Sequence, residues 1–308
     1  MTPERTPDLT ARVGTLLLKN PVMSASGTFG YGLEFAPFYD ISRLGAVVVK
    51  GLSLLPSPGN APQRIVETPA GMLNAIGLQN IGVDRFIDDV APRLDDAEAV
   101  CVANIYGRTI EEYEEVARRL SDRPTPAAIE LNASCPNVRE GGISFGSTPE
   151  GLSRLTRRVR AATRKPLWVK LSPNVGDIGE MARAAEDAGA DGVTLINTLV
   201  GMAVDPVTRR PRLSNVTGGL SGPAIRPVAL RMVWEACKAV RIPVVGIGGI
   251  QSAEDALEFL VVGAAAVQVG TANFRNPNAC VEIIDGIREF LVRGKIASLG
   301  EYRGTFLP

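Results

Sequence analysis

The sequence contains no histidine. That absence excludes a Ser-His-Asp triad and a His-ligated metal centre, and it removes the one side chain whose ordinary pKa lies near neutrality. A proton moved at pH 7 must then pass through a retuned Cys, Lys, Tyr or carboxylate, and a hard redox step needs a cofactor. Cysteine is scarce. Cys101, Cys135, Cys237 and Cys280 are the full set, and no two stand at CxxC spacing. Neither a zinc site nor an iron–sulfur cluster built by this chain alone is readable, and no metal is expected. Net charge is also missing, with 33 Lys and Arg against 33 Asp and Glu, so neither nucleic acid nor an anionic membrane is favoured as a partner. No apolar run reaches the roughly 18 residues of a membrane span. Met1 to Asn20 lacks the apolar core of a signal peptide. The expectation is a soluble, cytoplasmic protein with reduced thiols.

What is present is a regular alternation. Short runs rich in Val and Ile predict strands at Val22–Ser26, Ala46–Lys50, Val100–Ile105, Ala128–Asn132, Leu167–Leu171, Gly192–Asn197, Val244–Ile247 and Ala266–Val269. Their continuous apolar character suits strands buried on both faces. Helix-period stretches lie between them at Thr109–Leu120, Thr148–Thr163, Asp177–Ala188, Pro227–Val240 and Ala253–Val262, with Gly189 and Gly263 as C-cap candidates. Eight such units predict an α/β fold, a (β/α)8 TIM barrel spanning residues 1–308 as one domain, although a doubly wound sheet also alternates. Gly51 to Asn80 breaks the pattern. It is rich in Pro and Gly, carries a strand candidate at Arg64–Glu67, and follows the second strand. An insertion there would join the loops that roof the C-terminal face.

Catalytic groups of such a barrel gather at the C-terminal strand ends. Those ends carry Ser24 and Ser26, Lys50, Asn104, Asn132, Lys170, Asn197-Thr198, Gly248-Gly249 and Gly270-Thr271. Any one of them reads equally well as the start of a loop. Together, two lysines and three asparagines with hardly a carboxylate describe a pocket for a planar, anionic ligand rich in acceptors. Glycine turns after strands seven and eight are where a barrel usually holds phosphate, such as that of FMN. A full G-x-G-x-x-G after the first strand is lacking, which disfavours a dinucleotide on a Rossmann unit. Cys135 stands just past strand four in Asn132-Ala133-Ser134-Cys135-Pro136-Asn137, before a Gly-rich loop. A thiol at a strand exit near lysines can be tuned to act as a base. Cys101, Cys237 and Cys280 read as packing. The string Asn74 to Asn80 offers amides and a glycine to a polar heterocycle.

The ordered strings Asn20 to Thr28, Lys50-Gly51, Glu67 to Asn80, Asn132 to Gly146, Val216 to Pro223 and both glycine turns resemble the class 1 dihydroorotate dehydrogenases over nearly the whole chain, and within them the class 1B catalytic subunits. The resemblance implies FMN lying across the barrel mouth, its phosphate held by Gly248, Gly249, Gly270 and Thr271. It implies flavin contacts from Ser24, Lys50, Gly51, Asn104, Asn132, Lys170, Ile196 and Gly222. Dihydroorotate would meet Lys50, Asn74, Ala75, Ile76, Gly77, Leu78, Asn132, Asn197 and Thr198. Cys135 matches the catalytic base, where class 2 enzymes carry serine, and Lys170 would stabilise charge on the reduced cofactor. The implied reaction is oxidation of dihydroorotate to orotate in pyrimidine biosynthesis. Class 1B also implies a dimer of this chain flanked by two partner subunits, each carrying FAD and a 2Fe-2S cluster and passing electrons to NAD+.

Other readings, two of them oxidoreductases, stay open at this level. One is a class 1A homodimer reducing fumarate, against which stands the continuation Arg139-Glu140-Gly141-Gly142-Ile143. A second is a uracil-reducing module of the dihydropyrimidine dehydrogenase kind, which shares Asn-x-Ser-Cys-Pro but departs at Asn137. From a different class comes a colourless phosphate-binding isomerase or lyase barrel, and a further possibility is a flavin-storing subunit without activity.

Overall fold

The computed structural model describes residues 6–133, 139–140 and 143–308. Among these residues eight parallel strands alternate with helices: β1 (Val22–Ser24), β2 (Val47–Val48), β3 (Cys101–Ile105), β4 (Ala128–Asn132), β5 (Leu167–Lys170), β6 (Gly192–Leu195), β7 (Val244–Ile247) and β8 (Ala266–Val269). Each pairs with its sequence neighbour from β2 to β6, then β6 with β7 and β7 with β8, and β8 returns to β1 through Val267↔Val22. The seam between β1 and β2 closes through the Met23↔Ala46 bridge. The predicted (β/α)8 barrel is the fold.

Every residue of β3 and β4 is buried, as expected of strands covered on both faces. The covering helices are built from the stripes that the sequence displays. In α1 (Ile110–Ser121) the buried set is Ile110, Tyr113, Val116, Ala117 and Leu120, one face at helical spacing. Thr109 caps it by accepting the Glu112 N–H at 3.3 Å, and Arg118 and Arg119 sit at the negative end of its dipole. The later helices α2 (Pro149–Ala162), α3 (Ile178–Asp187), α4 (Arg226–Ala239), α5 (Ala253–Val261) and α6 (Ala279–Arg293) follow the same logic. Thr148, Asp177 and Ser252 serve as caps. Gly189 and Gly263 follow α3 and α5 with φ of +93° and +119°, a conformation a Cβ disfavours.

The two ends of the barrel are closed differently. At the N-terminal end lies a hairpin, Ala11–Val13 paired with Leu16–Leu18, whose Val13 and Leu18 are fully buried. A Cβ on Gly192, the first residue of β6, would stand 3.2 Å from Val13 Cγ1. Over the C-terminal end lies an antiparallel sheet in the order Leu199–Met202, Thr217–Ser221, Gly71–Asn74, Ile65–Thr68. The insertion after β2 therefore does roof the mouth, as expected. Its partner is a second insertion between β6 and α4, which patterning alone does not separate out. Thr217-Gly218-Gly219-Leu220-Ser221 has little strand propensity of its own. It becomes a strand because Gly219 pairs with Asn74, about half the chain away.

Candidate active site

The strand ends converge on the mouth under this roof. Lys170, the last residue of β5, is buried, and its Nζ donates to Ser26 Oγ at 3.2 Å and stands 3.5 Å from Glu130 Oε1. Asn104 Nδ2, from β3, donates to the same Glu130 oxygen at 2.7 Å. Gln268 Nε2, from β8, reaches Glu130 Oε2 at 2.7 Å. Asn104 Oδ1 is buried and has no hydrogen-bond partner among the described residues. Gly51 lies against it: a Cβ there would come within 2.9 Å of that oxygen. Lys50 leaves the sheet at the end of β2, its N–H donating to Gly30 O at 2.8 Å. Burial first, and then the charge of Arg64, pulls its amine below the usual lysine range, with Glu34 opposing.

A second set of contacts links the substrate-site candidates. Asn197 Nδ2 approaches Asn132 Oδ1 at 3.4 Å, and Asn197 Oδ1 accepts the Thr198 N–H at 2.8 Å. Thr198 packs against the roof, since a Cβ on Gly219 would fall 2.0 Å from its Oγ1. Asn74 Nδ2 donates to Gly219 O at 3.2 Å. From there the chain turns back at Ala75 to Leu78. Asn60 holds this turn by donating to Ile76 O at 2.9 Å and to Ala75 O at 3.0 Å. Gly77 and Leu78 both adopt positive φ, +73° and +58°. The amide-rich string thus joins Asn132 and Asn197 by continuous contact.

The glycine turns form a third set. Among the described residues, the N–H groups of Gly248, Gly249, Gly270 and Thr271 have no hydrogen-bond acceptor. Gly248 and Gly249 have φ of +132° and +74° and press on α4, where a Cβ would meet Ala229 at 2.7 Å and Arg226 at 2.6 Å. Arg226 in turn pairs with Asp255. Asp255 accepts the Gln251 and Ser252 N–H groups at 2.8 and 3.2 Å, which clamps the turn from behind. Thr271 Oγ1 donates to Ser221 Oγ at 2.8 Å, next to Gly222 (φ +96°). Ile196 is buried and donates its N–H to Ile247 O at 2.9 Å.

Ser24 ends β1 as expected, but its side chain has another task. The Ser24 hydroxyl is spent on the barrel seam, accepting the Val48 N–H at 3.0 Å and donating to Val48 O at 3.4 Å. Cys135 lies outside the described residues. The other thiols suit packing: burial pushes Cys237 and Cys280 up to about 12, and Cys101 higher still. A survey of strand ends misses Glu130 and Gln268. Both interrupt apolar runs, Ala128-Ile129-Glu130-Leu131-Asn132 and Ala266-Val267-Gln268-Val269. A long polar side chain inside a buried strand, charged in Glu130 and neutral in Gln268, was the signal available.

Comparison with known proteins decides what kind of mouth this is. The sequence model of the dihydroorotate dehydrogenase family matches residues 8–291. The catalytic subunit of dihydroorotate dehydrogenase B (NAD(+)) from Geotalea uraniireducens is 55% identical over 301 residues, covering 98% of this chain and 99% of that one. The protein of the same name from Trichlorobacter lovleyi is 57% identical over 97% of this chain and 98% of its own. That from Thermoanaerobacter sp. is 53% identical over the same shares.

The chain belongs to the dihydroorotate dehydrogenase family.

Dihydroorotate dehydrogenases are flavin-dependent oxidoreductases, and the residues present fit a flavin on three counts. Four open backbone N–H groups suit a phosphate. The buried, unpartnered Asn104 Oδ1 suits a ligand donor, and the ring's only ring N–H is one. Two lysines and three amides suit the acceptors of the isoalloxazine and of a carboxylated pyrimidine. Among the described residues no helix is long and apolar enough to cross a membrane.

Proposed function

We propose that this chain oxidises (S)-dihydroorotate to orotate with FMN as its cofactor, and that its electrons leave through a partner subunit carrying FAD and a 2Fe-2S cluster to NAD+. The observation that carries the reading is the cluster of donors at the strand ends. Lys50, Lys170, Asn104, Asn132 and Asn197 converge beside two glycine turns with open N–H groups, in a chain more than half identical to proteins named for this activity. Gly248, Gly249, Gly270 and Thr271 would hold the FMN phosphate. Ser24, Gly51, Ile196 and Gly222 would line its ring and ribityl chain by backbone and packing.

FMN, when bound, supplies the acceptor for the hydride leaving C6 of dihydroorotate. Cys135, as thiolate, removes the proton from C5. Asn74, Asn132 and Asn197 hold the pyrimidine by its polar edges, with Asn132 and Asn197 already braced on each other, so that both reacting carbons are aligned. Lys50 answers the substrate carboxylate, and the backbone of Ala75 to Leu78 with Thr198 closes over it. Lys170 presents a fixed ammonium where negative charge accumulates. The partner, in a dimer of this chain flanked by two such subunits, is what the class 1B resemblance implies. The lack of a Rossmann fingerprint and of a cysteine cluster in this sequence supports it.

The visible spectrum of the purified protein tests the proposal. Oxidised-flavin bands that bleach on anaerobic dihydroorotate support it, and a colourless protein would sink it in favour of an isomerase or lyase. Isolation from the native host then tests the acceptor. Co-purification of an FAD and iron–sulfur subunit is expected, whereas rapid fumarate turnover by the lone chain would replace NAD+ with fumarate.

A further inference from the structure

Glu130 is a fully buried carboxylate directly beneath the mouth, and the reaction outlined above gives it no task. It stands two residues before Asn132 in β4 and therefore on the same face of the strand, one layer deeper in the barrel. Two neutral amides from two other strands fix it at 2.7 Å each, Asn104 on Oε1 and Gln268 on Oε2. The Lys170 ammonium stands further off, 3.5 Å from Oε1. The carboxylate is thus held in place by amides that carry no charge, with its field left directed at Lys170. An ammonium alone at the end of β5 would offer a full positive charge to whatever lies in the mouth. The pair offers much less, because the opposite charge sits within a few ångströms in a medium that screens poorly.

We infer that Glu130 is a positioning residue for electron flow: the counter-charge that limits how far Lys170 stabilises the reduced flavin and so keeps its potential low enough for electrons to move on. This rests on the proposed placement of FMN beside Lys170. An unopposed lysine would favour reduction and trap electrons on the cofactor. A lysine paired with Glu130 still assists hydride acceptance and also lets the cofactor be reoxidised.

Glu130→Gln removes the charge and keeps the shape. Its new N–H2 group has an acceptor to hand, since Gln268 Oε1 is buried without a partner among the described residues. Rotation of that amide presents it. The full-length chain with bound FMN is titrated anaerobically against a reference dye. At the wild-type midpoint, E130Q should hold at least tenfold more reduced over oxidised flavin, a shift of about 30 mV upward for a two-electron couple. Gln268→Met, which removes one amide and no charge, should shift it by well under a third of that.

An unmoved potential in E130Q, or an equal shift in Q268M, overturns the inference. If E130Q does not fold with flavin bound, Glu130→Asp carries the test. It withdraws the charge by one methylene and must move the potential the same way, and an unmoved potential there is equally fatal. A wild-type chain that binds no flavin overturns both this inference and the function on which it rests. A flavin that dihydroorotate bleaches but whose potential ignores Glu130 overturns the inference alone.

Discussion

The barrel is closed at its two ends by antiparallel strands, and the two closures differ in how much of their contact is apolar. The hairpin at the N-terminal end contributes Val13 and Leu18, fully buried, and has no chemistry to perform. The roof at the C-terminal end is half-exposed along all four strands, with Val200 and Met202 left 66% and 59% exposed. Its contacts at the mouth come from Gly219, Asn74 and Thr198, beside a smaller apolar share from the buried Leu73 and the half-buried Leu199 and Leu220. One end is closed by apolar burial. The other mixes apolar contacts with glycine and polar ones, and a ligand would lie between roof and strand ends. Stability and activity should therefore come apart under mutation, and four experiments probe how cleanly.

The largest effect is expected at the mouth. Cys135→Ala should leave FMN bound and slow dihydroorotate-driven bleaching at pH 7 by roughly 10²–10⁴-fold, the usual worth of a positioned base. Stopped-flow absorbance reads it, and bleaching at the wild-type rate would remove Cys135 from the mechanism. With no histidine present, the acid limb of the wild-type rate profile should belong to this thiol.

Next comes the opposite end. Leu18→Ala empties a fully buried site and should cost about 2–5 kcal/mol in urea unfolding. The folded fraction should keep its flavin and its bleaching rate. A bleaching defect as deep as the stability loss would show that the two ends are coupled after all.

Gly219→Ala makes the reverse change in the roof. Its Cβ would fall 2.0 Å from Thr198 Oγ1 and must displace it. The expected result is roughly ten- to a hundredfold lower kcat/KM for dihydroorotate, with stability changed by only about 1 kcal/mol. Unchanged kinetics would place the substrate away from Thr198.

The smallest effect concerns the packing thiols in alkali. Burial raises Cys237 and Cys280 to about 12 in the folded chain, against an ordinary 9.0. The unfolded chain therefore gives up these protons first, and the stabilisation present below pH 9 is lost as pH rises from about 9 toward 12. Each thiol contributes a slope of at most about 1.4 kcal/mol per pH unit. Urea midpoints at pH 8 and 10 measure it. A midpoint that does not fall would mean these thiols are better hydrated than their burial implies.

Much of the frame was legible before any coordinates. β4, β7 and β8 begin and end where the apolar runs do, and α1 to α5 fall within a residue of the helical stripes. Runs buried on both faces leave few ways to misread their limits. β1, β2 and β6 proved shorter than their runs, ending at Ser24, Val48 and Leu195. Just beyond those points single cross-strand hydrogen bonds persist, from Ala25, Val49 and Ile196, before the chain turns to present Ser26, Lys50 and Asn197. The second half of the roof was not legible, because a glycine-rich strand takes its identity from a partner far along the chain. Glu130 was overlooked for a related reason: a survey of strand ends cannot see a group two residues deeper. The Ser24 hydroxyl is committed to Val48, which residue type and position alone do not reveal, so a flavin contact there would come from its backbone.

By itself the sequence determined what is periodic, compositional or family-specific. It placed the alternation of strands and helices and the donors at the strand ends. It excluded imidazole chemistry, and it carried the strings that place the chain among the dihydroorotate dehydrogenases. Those properties are local, written in spacing and residue type. Only the tertiary structure decided which donors remain open and which are spent. It turned Ser24 into the seam and, among the described residues, left the N–H groups of two glycine turns without acceptors. It also set Glu130 under Lys170 between amides from β3 and β8. Contacts of this kind join residues far apart in the chain, 138 positions for Glu130 and Gln268 and 144 for Ser26 and Lys170, and only closure of the barrel brings them within hydrogen-bond reach.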